Sequence, residues 1–170
     1  MAHILKGNAH RFEPNDDINT DYIISGRYKF KIDEMADLAK HVMEDIDPGF
    51  AARVSPGDLI VAGRNFGCGS SREQAPRALK AAGVSAVLAK SYARIFYRSS
   101  FNVGLPLLQC DTDWISAGDG LVIDLTHGEV TCPARAVKVT TAPIPRIMCV
   151  LLEDGGLVEH LKKHGGFAFD

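Results

Sequence analysis

The chain has 170 residues, a net charge of −2 and 46% hydrophobic residues. That length suits one domain with a sizeable core and no need of disulfide or metal staples. The near-neutral balance leaves no electrostatic footprint for nucleic acid or an anionic membrane. No apolar run approaches a membrane span or a signal-peptide core, so the cytoplasm is the expected compartment.

Taken in order, residues 2–12 read as an irregular strand pair. Pro14 to Asp21 is rich in Asn and Asp and turn-forming; it lacks an EF-hand's glycine and terminal glutamate, which favours a polar loop over a calcium loop. From Asp33 to Asp45, Met35, Leu38, Ala39 and Val42, with Ile46 beyond, fall near one face. This predicts an amphipathic helix capped by Asp33 and ended by Pro48-Gly49. The turn Ser55-Pro56-Gly57-Asp58 leads into a buried strand, Leu59–Gly63. An Ala-rich helix to Gly83 follows, then a strand at Ser85–Ala89 and a helix capped by Ser91 and ending near Asn102. Gly104 closes that helix, and Leu105–Gln109 forms a third strand.

Strand, helix, strand, helix, strand argues for two right-handed parallel crossovers. Ligands then bind beyond the carboxyl ends of the strands. The loops that start at Arg64 and Lys90 leave from that edge, which brings Ser70, Arg72 and Ser91 towards one place. Arg94 and Arg98, at i and i+4 on the second helix, read as surface ion-pair formers. Further on, Leu121–Leu125 and Glu129–Cys132 flank His127-Gly128 as a hairpin, and Ala136–Thr140 is another strand. Helices are predicted at about Arg146–Glu153 and Leu157–Lys163.

The four cysteines (Cys68, Cys110, Cys132, Cys149) include no Cys-x-x-Cys pair, so neither a metal site nor an iron–sulfur ligand set is expected in this chain. Three of them read as small core residues. Cys68, inside a glycine-rich stretch, is either the same or a reactive thiol. The six histidines read as ordinary surface or core residues without a metal partner at helical spacing.

The stretch from Gly63 to Pro76, GRNFGCGSSREQAP, holds the densest chemistry. Its glycines let backbone approach a ligand, and the amides of a helix start attract negative charge. Ser70-x-x-Glu73 and Ser71-x-x-Gln74 both match the capping-box pattern, with a first turn near Ser71 and regular helix from about Ala75. A phosphate-cradling loop needs Gly-Lys-Ser/Thr, and no lysine precedes Ser70. A dinucleotide fingerprint needs glycine where Arg72 stands. Neither serine fits the Gly-x-Ser-x-Gly elbow. On the residues alone, a carboxylate or phosphate site and a plain helix cap with Arg72 in a surface ion pair account for the stretch equally well.

Asn65-Phe66-Gly67-Cys68-Gly69-Ser70-Ser71-Arg72-Glu73, followed by Ala89-Lys90-Ser91-Tyr92-Ala93-Arg94-Ile95-Phe96, resembles the swivelling domain of the aconitase superfamily. Within it, the likeness is nearest to the small subunits of isopropylmalate dehydratases and runs from Asp17 through Pro106. The resemblance implies an α/β fold: a swivelling β/β/α domain with a central, largely parallel sheet, a β-rich C-terminal portion and helices, in a single domain over 1–170. It implies a hydro-lyase subunit in which Ser70 is the base and Ser71 and Arg72 hold a substrate carboxylate. A large subunit would carry the [4Fe–4S] cluster, with no cofactor in this chain, and the substrate would be a hydroxy di- or tricarboxylic acid.

In relatives, the segment after the Gly-Arg-Tyr unit reads the substrate's variable group, which here points to Tyr28, Lys29, Phe30 and Lys31. This loop departs from both the isopropylmalate and the homoaconitase patterns. Phe30 suits a branched alkyl group, and either lysine suits an extra carboxylate. Homoaconitase-type and 2,3-dimethylmalate-type small subunits therefore stay open as alternatives, as does a non-catalytic anion-binding module.

Overall fold

The computed structural model describes residues 4–28, 31–71 and 73–169. One seven-stranded mixed sheet organises them. Strand β1 (Ile4–His10) is a single continuous strand, not the expected strand pair, and it lies at the centre. On one side it pairs parallel with β2 (Leu59–Val61), followed outward by β3 (Ala86–Ala89) and β4 (Leu107–Gln109), all parallel. On the other side it pairs antiparallel with β5 (Gly120–Asp124), followed by β6 (Glu129–Cys132) and β7 (Val137–Thr140). The predicted hairpin and both βαβ connections are present. The parallel half gains a third crossover, because residues 11–58 link β1 to β2.

Strands β2 and β3 are buried at every position, as parallel strands covered on both faces should be. Alternate residues feed two apolar clusters. Ile60, Val87 and Leu107 meet the helical layer, where Phe50, Phe66, Leu79 and Phe101 are fully or almost fully buried. Leu59, Val61, Leu88 and Leu108 share the second cluster with Leu121, Ile123 and Val130, so the sheet curls its antiparallel half around that face. Asp58 fastens β2 to β1 by accepting from Asn8 N (3.1 Å), His10 Nε2 (2.8 Å) and Ser55 N (2.9 Å). Burial pushes its pKa up, but the bonds from His10, Ser55 and Asn8 outweigh that and hold it below the usual carboxylate value.

Four helices of eight or nine residues pack around the sheet: α4 (Gln74–Ala81), α5 (Arg94–Asn102), α6 (Arg146–Asp154) and α7 (Leu157–His164). None of the described helices is long and apolar enough to cross a membrane. Gly83, at φ 102°, ends α4 as expected, with Val84 N closing back on Leu79 O at 3.1 Å.

The predicted helix over 33–45 breaks into α2 (Met35–Leu38) and a 3-10 turn (Ala39–His41), and Asp33 does not cap it. The cause is tertiary. Met43 adopts φ 60° and donates its N–H to Ile23 O at 2.9 Å, which joins this segment to α1 (Thr20–Ile23) at the expense of helical continuity. A further short helix, α3 (Phe50–Arg53), brings Phe50 edge-on to Phe12 and His10 at centroid distances of 5.1 and 5.2 Å.

Candidate active site

The carboxyl ends of β1, β2 and β3 open onto one edge, and three chain segments meet there. The glycine-rich loop after β2 lies in the middle. On one side it is zippered to residues 15–20: Gly63 N donates to Asn15 O (2.8 Å), Asp17 N to Arg64 O (2.9 Å), Gly67 N to Ile18 O (2.8 Å) and Thr20 N to Cys68 O (2.8 Å). Asp16 accepts from Arg64 N and Asp17 from the Asn65 amide, at 2.6 and 2.7 Å. On the other side Lys90 N donates to Gly63 O (2.9 Å), Phe66 N to Ser91 O (3.1 Å) and Ala93 N to Phe66 O (3.0 Å).

The glycines are required by this geometry. Gly67 has φ 78°, and a Cβ there would stand 2.1 Å from Cγ of the Phe96 ring. Phe96 also meets Phe66 edge-on at 5.3 Å, so the loop closes directly onto α5. Burying Phe66 completely contributes about 1.5–3 kcal/mol to holding the loop in place. Gly69 has φ 103° and lies against Thr20 Oγ1, which in turn accepts the Ser70 N–H at 3.1 Å. Asn19 caps α1, its side chain accepting from Asp21 N and Tyr22 N at 2.9 Å each.

Ser70 and Ser71 emerge from this frame onto the surface. Neither caps a helix: α4 begins after Glu73 with no side-chain cap, so both capping-box expectations fail. Ser70 lines a cavity of about 460 Å³ with Gly67, Gly69, Ala93, Arg94, Ile95 and Arg98. Its hydroxyl has no hydrogen-bond partner among the described residues, whereas its amide is pinned. Arg72 lies outside the described residues, as do Lys29 and Phe30.

Other expected residues take different places. Ser91 does not cap α5, whose N-cap is Ala93; its hydroxyl instead accepts Asn65 N at 2.8 Å and braces the glycine loop. Tyr28 does not line the Ser70 cavity. Its hydroxyl donates to Glu44 at 2.9 Å and its ring stacks on His41 at 3.9 Å. Exposed Lys31 borders a separate surface cavity with Ile32, Asp37 and Lys40. The Cys68 thiol donates to Asp17 O at 3.6 Å, and burial followed by the Asp17 charge raises its pKa, which disfavours a reactive thiolate. Arg94 and Arg98, read as ion-pair formers, find no carboxylate partner among the described residues and line the Ser70 cavity instead.

The histidines hold one feature missed in the sequence. His160 and His164, four residues apart on α7, both contact Asp154 Oδ2, at 2.7 and 2.9 Å. Lys163 Nζ holds the other oxygen at 2.5 Å, and buried His160 accepts Ala168 N at 3.2 Å through Nε2. That last bond places the proton on Nδ1, facing Asp154, so this trio is a complete hydrogen-bonded lock with an ammonium already seated, and not a free ligand set. Among the described residues it is also the one constellation with metal-ligand spacing, and it contains no cysteine.

Comparison with known proteins accords with this arrangement. Residues 14–112 match the aconitase C-terminal domain, and that span holds the three segments of the edge. A 3-isopropylmalate dehydratase small subunit 2 of Archaeoglobus fulgidus is 56% identical over 161 residues, 95% of this chain and 96% of that one. A small subunit 1 from Methanopyrus kandleri is 48% identical over all of this chain and 99% of its own. The crystal structure of a 3-isopropylmalate dehydratase from Methanocaldococcus jannaschii superposes with a TM-score of 0.91 at 45% identity, over 96% of both chains. On these grounds the chain belongs to the family of 3-isopropylmalate dehydratase small subunits, within the aconitase C-terminal domain fold.

Proposed function

We propose that the chain works as the small subunit of 3-isopropylmalate dehydratase, a hydro-lyase that interconverts 2-isopropylmalate and 3-isopropylmalate in leucine biosynthesis. The observation that carries this reading is Ser70: a backbone locked on both sides presents an unbonded hydroxyl to an open cleft, in a family of dehydratase small subunits. Elimination of water needs a group that takes the proton from the carbon beside a carboxylate. Ser70 is that group in this proposal, with Ser71 and Arg72 holding the carboxylate on which negative charge develops. An arginine suits the task because its planar fork meets both carboxylate oxygens. A serine hydroxyl is a weak base at its free pKa, so the cleft must favour its alkoxide. The loop of Tyr28, Lys29, Phe30 and Lys31 is assigned to the substrate's branched group on the resemblance alone, since Tyr28 and Lys31 do not line the Ser70 cavity.

The cleft is open to solvent, and Ser70 and Ser71 are exposed, as expected of half a site that a large subunit completes. A [4Fe–4S] cluster held by that subunit would supply the Lewis acid for the departing hydroxyl. The test is anaerobic co-expression with a candidate large subunit, followed by assay on isopropylmalate and on homocitrate. Turnover is expected only from the pair, with isopropylmalate preferred. Preference for homocitrate, or turnover by the isolated chain, would overturn the proposal.

A further inference from the structure

We infer that Arg94 and Arg98 form a second carboxylate-binding site in the Ser70 cleft, reserved for the carboxylate that Arg72 does not hold. The inference rests on the dehydratase reading in one respect only, that the substrate is a dicarboxylate.

Position comes first. Both arginines line the same cavity as Ser70 and also border a neighbouring one with Tyr92 and Tyr97, and their spacing of four residues puts them on one face of α5. The distance between this face and the serine is fixed by backbone. Ala93, immediately before Arg94, donates to Phe66 O at 3.0 Å, and Phe96 lies against Gly67. The backbones that carry the two exposed arginines and the serine are thus tied together, which is the arrangement that positions groups around a bound substrate.

Electrostatics comes second. Arg94 is the first residue of α5, where the positive end of the helix dipole disfavours a cation, and no acidic residue stands in that first turn. Arg98 adds a like charge one turn later. Three other arginines do meet carboxylates: Arg27 meets Asp45 at 2.6 Å, Arg53 meets Asp47 at 2.5 Å, and Arg135 meets Asp119. Among the described residues Arg94 and Arg98 meet no carboxylate. Arg11, which donates to the carbonyls of Thr112 and Ile115, and Arg64, Arg77 and Arg146 also lack one, but none of them lines the Ser70 cavity. Two uncompensated cations at a helix start, beside the candidate base, suit an anion that arrives from outside the chain. A dicarboxylate bound by Arg72 at one end needs such a group at the other. The same two charges would help keep a Ser70 alkoxide, though that effect alone would not discriminate between substrates.

The experiment uses the reconstituted two-subunit complex. Calorimetric binding of isopropylmalate is compared with that of a hydroxy monocarboxylate of the same alkyl group, for wild type, Arg94→Gln, Arg94→Lys, Arg98→Gln and Ser70→Ala. Wild type and Ser70→Ala should both favour the dicarboxylate. Arg94→Gln should weaken dicarboxylate binding about 10- to 100-fold while leaving the monocarboxylate nearly unchanged, the scale of one charge-assisted contact. Arg94→Lys should recover part of the loss, and KM should move more than kcat. Undiminished dicarboxylate preference in Arg94→Gln and Arg98→Gln would overturn the inference. So would dissociation of Arg94→Gln from its partner on size exclusion, which would make the arginine an interface contact. Because binding needs no turnover, an inactive wild-type complex that still binds the dicarboxylate through Arg94 would sink the dehydratase reading and leave this inference standing.

Discussion

The two halves of the sheet do different work. In β1–β4 the strands run parallel, so every connection must return across the layer and leaves again at the same edge. Segments around residues 16, 66 and 92, far apart in the chain, therefore interlock there by backbone hydrogen bonds. In β5–β7 the strands alternate in direction, turns join sequence neighbours, and inward positions such as Leu121, Ile123 and Val130 build core only. Directionality of pairing, more than composition, decides where remote side chains can converge on a ligand.

The sharpest way to separate the halves is Ser70→Ala in the reconstituted complex. We expect kcat to fall on the order of 10²-fold or more, the range for a positioned base. The exposed hydroxyl carries no folding contact, so Tm should stay at the wild-type value. Near-normal turnover would remove Ser70 from its assigned role. Gly67→Ala should break function and stability together. A side chain at φ 78° that collides with Phe96 costs about 2 kcal/mol or more. Urea midpoint and kcat should both drop, and retention of both would show that the loop's clasp on α5 is dispensable.

How far these elements were readable beforehand follows from the same contrast. β2, the glycine loop, α4, β3, β4 and the β5–β6 hairpin were legible because each is punctuated locally, by Gly57, Gly83, Gly104 and Gly128 and by unbroken apolar runs. The central strand β1 was misread as a pair because its partners lie about fifty and more than a hundred residues away, at Leu59 and Leu121. Helix 33–45 failed because a bond to Ile23 outweighed local propensity at Met43. The candidate site was proposed from its residue types, and its bonding was misread. Ser70, Ser71 and Ser91 suit helix caps in sequence, but in the fold Ser91 braces Asn65, while the two loop serines are spent on no cap. The freedom of Arg94 and Arg98 is a property of what surrounds them, which spacing does not encode.

In the antiparallel half, Ile123→Ala should do the reverse of Ser70→Ala. Ile123 is wholly buried, and truncation there costs about 2–5 kcal/mol, or roughly 2–4 °C of Tm per kcal/mol for a chain of this size. The folded fraction should keep wild-type kcat at a permissive temperature. A selective loss of kcat would mean that the antiparallel half reaches the site after all.

The smallest effect, and the one that assigns the C-terminal helices to a side, comes from Asp154. It ends α6 and binds Lys163, His160 and His164 of α7, both of which helices pack on α5. Lys163 first and His160 second hold its carboxyl well below the usual range; burial opposes them, and His164 adds a lesser lowering. A depressed folded pKa adds stability that is fully present above the unfolded value, near 3.9, and drains away as pH falls through the folded one. Wild-type Tm should therefore fall steeply below about pH 4. Asp154→Asn should start lower at pH 7 and show a shallower acid limb, with kcat near wild type. If the acid limbs of the two proteins were parallel, the carboxylate would not be the group whose protonation loosens the helices. If kcat fell while Tm held, α6 and α7 would belong with the parallel half, as part of what aims Arg94 and Arg98 at the cleft.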